Sequence, residues 1–175
     1  MAAISPDGKC RGLALRGGGA HGSFEAGVLK AFADELPALD IHYDFISGVS
    51  IGAINAAVFA TFEYGQEKAA AEATANVFLE HSPNDIWKYW RFYVVEPFYK
   101  NSILDSSNFL NVIEEIIGDK PFKKGLSWES VDIRTGQVVR FDDTIELEKR
   151  ALALMATASI PGSFKLVELD GMLLG

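Results

Sequence analysis

The chain has 175 residues, 49% of them hydrophobic, so it is long enough to bury one sizeable core and short enough to form a single domain. Its 16 basic and 24 acidic residues give a formal net charge of −8, which disfavours binding to nucleic acid or to an anionic membrane. Cys10 is the single cysteine, which excludes an internal disulfide and a Cys-based zinc site. These features, with no leader peptide and no apolar run of spanning length, predict a cytoplasmic protein.

The first half of the chain contains two successive strand–loop–helix patterns. Residues 12–15 predict a buried strand, and a helix over residues 24–36 follows it. Residues 43–46 predict a second buried strand, and apolar residues at helical spacing from 51 to 62 predict a second helix. A third, alanine-rich helix is predicted over residues 66–79. This alternation indicates an α/β domain.

Aromatic side chains are concentrated between residues 87 and 99. They are Trp87, Tyr89, Trp90, Phe92, Tyr93, Phe98 and Tyr99. With Lys88, Arg91 and Lys100 nearby, this segment suits a lid or a lipid-contacting surface, since Trp and Tyr favour the water–lipid boundary. A packed aromatic cluster that covers the sheet is the alternative, and the sequence leaves both open.

The last third of the chain predicts two helices and two pairs of strands. One helix spans residues 107–117, with Ser107 as its cap and Gly118 as its end, and the other spans residues 146–158. Each strand pair is joined by a two-residue turn that contains glycine. The pairs are 131–134 with 137–141, and 164–169 with 172–174.

A G-x-S-x-G motif, Gly48-Val49-Ser50-Ile51-Gly52, lies where the second predicted strand turns into its helix. In a nucleophile elbow the flanking glycines permit a strained, close turn that raises the serine hydroxyl out of the backbone. The N–H dipoles of the following helix favour the negative charge that develops during acyl transfer. Ser50 is therefore the candidate nucleophile. The alternative is a glycine-rich turn in which the serine only caps the helix.

A second glycine-rich segment, Gly17-Gly18-Gly19-Ala20-His21-Gly22, joins the first predicted strand to the first helix. In an oxyanion hole, the N–H groups of Gly17, Gly18 and Gly19 would face an ester carbonyl, and a Cβ there would block the substrate.

The same segment also matches G-x-G-x-x-G, a weak dinucleotide-binding pattern. That interpretation needs an acidic residue at the end of the second strand. Asp40 and Asp44 lie before or within that strand, and Ser50 occupies its end. The dinucleotide site is therefore the less favoured alternative.

The histidines do not follow the usual order of an α/β-hydrolase. In that order the base follows the acid late in the chain, whereas no histidine follows His81. His42 precedes the second strand at the end opposite Ser50, and His81 also lies in an unsuitable segment. Both are interpreted as ordinary surface or partly buried histidines, so a Ser–His–Asp triad is disfavoured.

Three segments, taken together and in this order, resemble the patatin-like phospholipases. They are residues 16–22 (Arg-Gly-Gly-Gly-Ala-His-Gly), 48–56 (Gly-Val-Ser-Ile-Gly-Ala-Ile-Asn-Ala) and 156–161 (Ala-Thr-Ala-Ser-Ile-Pro). The resemblance covers nearly the whole chain and implies one domain, residues 1–175, with a three-layer α/β/α fold and a mostly parallel central sheet. It further implies a Ser–Asp dyad without histidine. Carried over, Ser50 attacks the acyl carbonyl, and the N–H groups around Gly17, Gly18 and Gly19 form the oxyanion hole.

The chain departs from the family pattern at two places. His21 stands where the family usually has Arg or Lys, so a fixed charge is replaced by one that titrates near neutral pH. A role for His21 as an ordinary residue of the first helical turn is equally open.

The second departure concerns the catalytic aspartate, which the family carries in a D-G-G or D-G-A motif after an Asp-Gly turn. Here Asp170-Gly171 matches the turn, and the expected aspartate would directly follow Gly175. Asp170 itself is only a weak substitute, because a hairpin corner is its expected place. We therefore expect either the N-terminal part of a longer domain or a shortened form without its base.

These observations predict a serine hydrolase that cleaves acyl esters of phospholipids or neutral lipids through an acyl-enzyme intermediate, without a metal or organic cofactor. The expected partners are lipid substrates, with peripheral contact to a membrane or lipid droplet, and no nucleic acid. Two alternatives stay open. One is a catalytically impaired lipid-binding or regulatory module, because the aspartate is missing, and the other is a dinucleotide-binding domain.

Overall fold

The computed structural model describes residues 5–89 and 102–175 as a β-sheet with helices packed against it. Its helices are α1 (Gly22–Glu35), α2 (Ile51–Ala60), α3 (Glu67–Glu80), α4 (Pro83–Ile86), α5 (Phe109–Ile117) and α6 (Leu147–Ala158). Its strands are β1 (Gly12–Leu15), β2 (Phe45–Gly48), β3 (Lys88–Tyr89), β4 (Leu104–Asp105), β5 (Gly125–Asp132), β6 (Gln137–Asp142), β7 (Val167–Leu169) and β8 (Met172–Leu174). A short 3-10 turn, Gly19–His21, precedes α1.

Three parallel strands, β1, β2 and β5, lie side by side in the main sheet, and β1 is at its edge within the described residues. Their register aligns Leu13, Ile46 and Leu126 in one row, so these apolar side chains share one face. Ile46 and Leu126 are fully buried there. Because the carboxyl ends of parallel strands meet at one edge of a sheet, the loops after β1 and β2 lie side by side.

The other strands of the main sheet pair antiparallel. β6 pairs with β5, and β7 and β8 form a hairpin that joins the end of β5, where Leu174 pairs with Asp132. The hairpin turn at Asp170 and Gly171 has φ values of 50° and 78°, as the type I′ turn of a two-residue hairpin requires. The predicted hairpin corner is therefore confirmed. β3 and β4 form a separate two-stranded sheet.

The helices pack on one face of the main sheet. β1, β2 and β5 follow one another in the sheet in the same order as in the chain. Connections between parallel strands are right-handed, so two successive connections in the same direction place their helices on the same face of the sheet. α2 contacts all three parallel strands, and the Trp128 indole N–H of β5 donates to the Ala153 carbonyl of α6 at 3.0 Å. On the opposite face Gly12, Ala14 and Phe45 are exposed.

The predicted α/β fold with parallel central strands is confirmed, and two details differ. The sheet is mixed rather than mostly parallel, because β6, β7 and β8 all run antiparallel to their neighbours. The second helical layer of a three-layer arrangement does not occur within residues 5–89 and 102–175, since the single direction of strand order places the crossovers on one face.

Most predicted helices and strands lie within a few residues of the observed ones, with two clear exceptions. β5 begins at Gly125, six residues before the predicted strand start at residue 131. The residue that precedes α5 is Asn108 rather than Ser107, and it makes no side-chain cap hydrogen bond. Gly118 ends this helix with φ 52°, as predicted. Of the aromatic segment, Trp87 and Tyr89 are described, whereas Trp90, Phe92, Tyr93, Phe98 and Tyr99 lie outside the described residues.

Candidate active site

Ser50 lies in the sharp turn between β2 and α2 and has a strained backbone. Its φ and ψ are 54° and −127°, a conformation that favours glycine and that L residues rarely adopt. The Ser50 carbonyl accepts the N–H of Ala53 at 2.9 Å and so begins α2. The turn therefore holds the Ser50 side chain at the start of a helix whose residues are all buried.

The two glycines of the motif are required by close backbone packing. A Cβ at Gly48 would lie 2.5 Å from the Ala53 nitrogen, within the first turn of α2. A Cβ at Gly52 would lie 2.5 Å from the carbonyl oxygens of Leu15 and Arg16, at the end of β1. Real Cβ atoms do not approach backbone this closely, so both positions exclude any side chain. The same packing brings α2 directly against the loop that follows β1.

The glycine loop after β1 lies beside Ser50. A Cβ at Gly17 would contact the Ser50 Cβ at 3.2 Å, and Gly19 lies with Ser50 on the wall of one cavity. Gly19 has φ 56°, which also favours glycine. Within the described part of the chain, the N–H groups of Gly18 and Gly19 donate no hydrogen bond. They are available to an acceptor held against Ser50.

Two side chains fix this arrangement. Thr157, in the last turn of α6, accepts the Ser50 N–H on its Oγ1 at 3.0 Å. Asn55, buried on α2, donates its Nδ2 to the Gly22 carbonyl at 3.1 Å and so joins α2 to the first turn of α1. Neither role was predicted from the sequence, although both residues lie in the segments that carry the family resemblance.

A cavity of about 500 Å³ extends from Ser50 and has a mostly apolar wall. It is lined by Gly19, Ala20, Ser23, Ser50, Ile51, Phe78, His81, Ile86, Trp87, Phe109, Ala158, Ile160 and Phe164. Gly19, Ala20, Ser23 and Ile160 are exposed, so the cavity opens to solvent on that side. Its lining suits an apolar group next to a polar, backbone-rich end.

A family profile described as patatin-like phospholipase matches residues 13–174. The chain belongs to the patatin-like phospholipase family. Members of this family are lipid acyl hydrolases. No curated protein sequence is significantly similar to the chain.

The structure is similar to that of VipD from Legionella pneumophila, with a TM-score of 0.54 and 14% sequence identity. The match covers 95% of this patatin-like chain and 45% of the VipD chain. At this identity the similarity is one of fold. The chain spans slightly less than half the length of the VipD chain that it matches.

The histidines of the patatin-like chain occupy three different surroundings. His81, which the sequence analysis considered unsuitably placed, lies at the end of α3 on the wall of the Ser50 cavity, because α3 runs back toward the loop edge of the sheet. His42 lies away from Ser50 and stacks on Tyr64 at 4.7 Å. His21 contacts the Gly18 carbonyl through Nδ1 at 3.0 Å and therefore belongs to the glycine loop.

The candidate acidic residues lie away from Ser50. Asp170, in the β7–β8 turn, pairs with Lys149 at 3.0 Å near the start of α6, whereas Thr157 near its end contacts Ser50. Lys149 and Thr157 are eight positions apart on α6, which places them about 12 Å apart along the helix axis. The Asp44 carboxylate accepts the Arg11 N–H at 2.8 Å, at the end of the sheet opposite the glycine loop. Asp44 is thus unsuited to bind a ribose at that loop, which weakens the dinucleotide interpretation.

No group of three or more His, Cys, Asp or Glu side chains that could hold a metal ion occurs among residues 5–89 and 102–175. In the same part of the chain, no helix has the length and apolar character needed to cross a membrane.

Proposed function

We propose that the chain hydrolyses acyl esters of phospholipids or neutral lipids through an acyl-enzyme intermediate on Ser50. The observation that carries the proposal is a strained serine at a helix start, beside an apolar cavity and a glycine loop whose Gly18 and Gly19 N–H groups donate no hydrogen bond within the described residues. Membership of a family of lipid acyl hydrolases supports the choice of substrate class.

In this mechanism the Ser50 hydroxyl attacks the acyl carbonyl, and the carbonyl oxygen becomes an oxyanion. The N–H groups of Gly18 and Gly19 donate to that oxygen, and the start of α2 adds its positive dipole end. The acyl chain occupies the cavity between Phe78, Phe109 and Phe164. Collapse of the tetrahedral intermediate releases the alcohol, which leaves with the proton that the Ser50 hydroxyl gave to the base. Water then hydrolyses the Ser50 ester to the free fatty acid and restores the hydroxyl.

The described cavity wall contains no Asp or Glu, and its His81 makes no hydrogen bond to Ser50 within the described residues. The base is therefore the part of the mechanism that the described wall does not supply. The family resemblance implies an aspartate directly after Gly175. A Cβ at Gly175 would lie 2.8 Å from the Ser159 carbonyl and 3.3 Å from Pro161, on either side of Ile160 on the cavity wall. An aspartate that followed Gly175 would therefore begin close to the cavity. We propose it as the proton acceptor for Ser50.

A fluorophosphonate probe, which forms a covalent bond with an activated serine, tests the nucleophile. We expect labelling of the chain extended after Gly175 by Asp-Gly-Gly, loss of labelling when the extended chain carries Ser50→Ala, and unchanged labelling when it carries Ser23→Ala. Ser23 is the matched control because its hydroxyl lines the same cavity. Equal labelling of the extended chain with and without Ser50→Ala would refute the role of Ser50.

The second candidate is a lipid-binding module with little or no turnover, and the absence of a carboxylate from the described cavity wall favours it. Loss of the base from such a site lowers turnover by orders of magnitude while binding persists. Adding Asp-Gly-Gly after Gly175 distinguishes the two functions. Esterase activity that rises at least about a hundredfold on extension supports the hydrolase. Fatty-acid binding without activity in both forms supports the binding module.

A further inference from the structure

Three carbonyl groups of the glycine loop have hydrogen-bond partners close by in the chain. Arg16 Nε donates to the Gly17 carbonyl at 3.3 Å, and Ser23 Oγ donates to the Ala20 carbonyl at 2.8 Å. The Gly18 carbonyl lies between these two and is bonded by the residue at position 21. The protein thus holds the carbonyl groups of the loop, whereas the N–H groups described above donate no hydrogen bond within the described residues.

His21 makes two contacts with the Gly18 carbonyl oxygen. Its backbone N–H donates at 3.2 Å, as any residue at this position of a 3-10 turn does, and its ring Nδ1 lies 3.0 Å from the same oxygen. A carbonyl oxygen only accepts, so the ring bonds it by carrying a proton on Nδ1. Because Nδ1 is attached directly to Cγ, this donor has a short, fixed reach, unlike the terminal donors of Arg or Lys.

The peptide group between Gly18 and Gly19 turns this contact into a direction for an N–H group. A peptide is planar and trans, so its C=O and N–H point in opposite directions, and holding the Gly18 carbonyl fixes the Gly19 N–H. Neither residue has a Cβ, so rotation of the peptide between them meets little steric resistance. The orientation of the Gly19 N–H therefore depends on what holds the carbonyl on the other side.

The two sides of this peptide group face different cavities. Gly19 lies on the wall of the Ser50 cavity, and His21 is not among the described residues of that wall. His21 instead lines a separate groove beside β1 and α1, together with Arg16 and Glu25. The carbonyl that contacts His21 therefore points toward the groove, and the N–H points toward the side on which Ser50 lies.

We infer that His21 is a positioning residue for the proposed hydrolysis: its Nδ1–H holds the Gly18 carbonyl and so aims the Gly19 N–H at the oxyanion. The inference rests on the proposed function, in which this N–H donates to the acyl oxygen. The role requires neither a charge on His21 nor a contact with the substrate, because the neutral Nδ1–H ring and the protonated ring both donate from Nδ1. A misdirected donor weakens binding of the transition state and leaves binding of the substrate unchanged.

Two amide side chains of different length test this role in the chain extended by Asp-Gly-Gly, with p-nitrophenyl butyrate as the substrate. His21→Asn places an N–H donor at the position of Nδ1, whereas His21→Gln, the matched control, places the same amide one bond farther out. We expect His21→Gln to lower kcat about tenfold or more with KM unchanged, since loss of one oxyanion donor lowers kcat by about 10² to 10³. His21→Asn should keep kcat within about threefold of the wild type.

The NMR shifts of the two ring nitrogens of His21, measured on the chain without the extension, give a readout that does not depend on activity. We expect the neutral ring to carry its proton on Nδ1. A proton on Nε2, a His21→Gln variant as active as the wild type, or a His21→Asn variant as impaired as His21→Gln overturns the inference and leaves the hydrolase standing. An extended wild-type chain that hydrolyses no ester refutes the proposed function, and the positioning role with it. Circular dichroism shows whether each variant is folded, and the tautomer of the wild-type ring decides where one is not.

Discussion

The backbone of Ser50 is strained, and the strain holds one hydroxyl at the start of α2. A residue with a Cβ at φ 54° and ψ −127° costs on the order of 1 to 3 kcal/mol of strain. The surroundings keep it there, because Gly17 contacts its Cβ side and Thr157 accepts its N–H. Strain that is held in this way at one polar residue is characteristic of functional sites.

Replacing Ser50 should therefore separate stability from function. We expect Ser50→Gly to unfold with a free energy about 1 kcal/mol higher than Ser50→Ala, because glycine adopts this backbone conformation without strain. Urea denaturation of both variants, followed by circular dichroism, measures the difference. Both variants lose the hydroxyl, so the comparison isolates the Cβ. If Ser50→Ala is the more stable variant, the turn is not strained as described.

The sequence alone predicted the candidate site residues that are close together in the chain, but not the ones that are distant from Ser50. Ser50 and the three glycines were predicted because a strand-to-helix turn imposes its requirements within a few residues. Thr157 lies 107 positions from Ser50, and no local pattern marks its hydroxyl as the acceptor of the Ser50 N–H. His81 was judged unsuitable because the direction in which α3 returns along the sheet is a tertiary property.

At the scale of secondary-structure elements, a buried ion pair connects the start of α3 to the start of β5. Lys124 donates from Nζ to Glu67 Oε1 at 3.0 Å, and both side chains are almost completely inaccessible to solvent. The same ammonium group lies 4.1 Å from the centroid of the Tyr64 ring. Two charges removed from water are tolerated here because each is the partner of the other.

Replacing one partner of this ion pair should lower the free energy of unfolding far more than replacing both partners. We expect Lys124→Met to lower the free energy of unfolding by about 3 to 5 kcal/mol, since the Glu67 carboxylate stays buried without its cation. The double variant Lys124→Met/Glu67→Gln should recover most of that loss. A double-mutant cycle by urea denaturation gives the coupling energy. A cost below about 1 kcal/mol for Lys124→Met would contradict this account.

Helices and strands were predicted best where apolar residues recur at regular helical or strand spacing. α2 and α6 were predicted nearly in full, because apolar residues recur at helical spacing in both. β5 was recognised only over its last residues. Its earlier part has only two buried apolar residues in alternation, Leu126 and Trp128, because the next inward position is the buried polar residue Ser130. The single-sided helical layer follows from strand order, which no local pattern contains.

At the scale of the whole molecule, the excess of acidic residues is partly offset by local contacts that stabilise ionised carboxylates. The pKa values of several aspartates lie below the usual range, because hydrogen bonds favour their charged forms. They are Asp7, Asp34, Asp85, Asp132 and Asp142. These residues lie on several different elements, so their protonation acts on the whole fold rather than on one site.

The Asp34 carboxyl has a lowered pKa because it contacts two lysine side chains. Hydrogen bonds from Lys68 and then Lys30 lower the pKa of the Asp34 carboxyl to about 2. The Lys68 contact, at 2.8 Å, joins α3 to α1, and the Lys30 contact, at 2.9 Å, lies within α1. The folded-state pKa is below the unfolded value of about 3.9. Its contribution to stability is therefore fully present above pH 4 and is lost as the pH falls toward 2.

We therefore expect the free energy of unfolding of the wild type to fall as the pH is lowered from 5 to 2.5. We also expect Asp34→Asn to be less stable than the wild type at pH 7, and this difference to be smaller at pH 2.5. Lowering the pH removes from the wild type the charge that the variant already lacks, so the two chains converge. Urea denaturation at pH 7, 5 and 2.5 measures this convergence. Asp40→Asn is the matched control, because Asp40 is 57% exposed and its closest cation, on Arg11, is 3.9 Å away. A stability difference between Asp34→Asn and wild type that is the same at all three pH values would show that the two lysine contacts contribute through packing and not through charge.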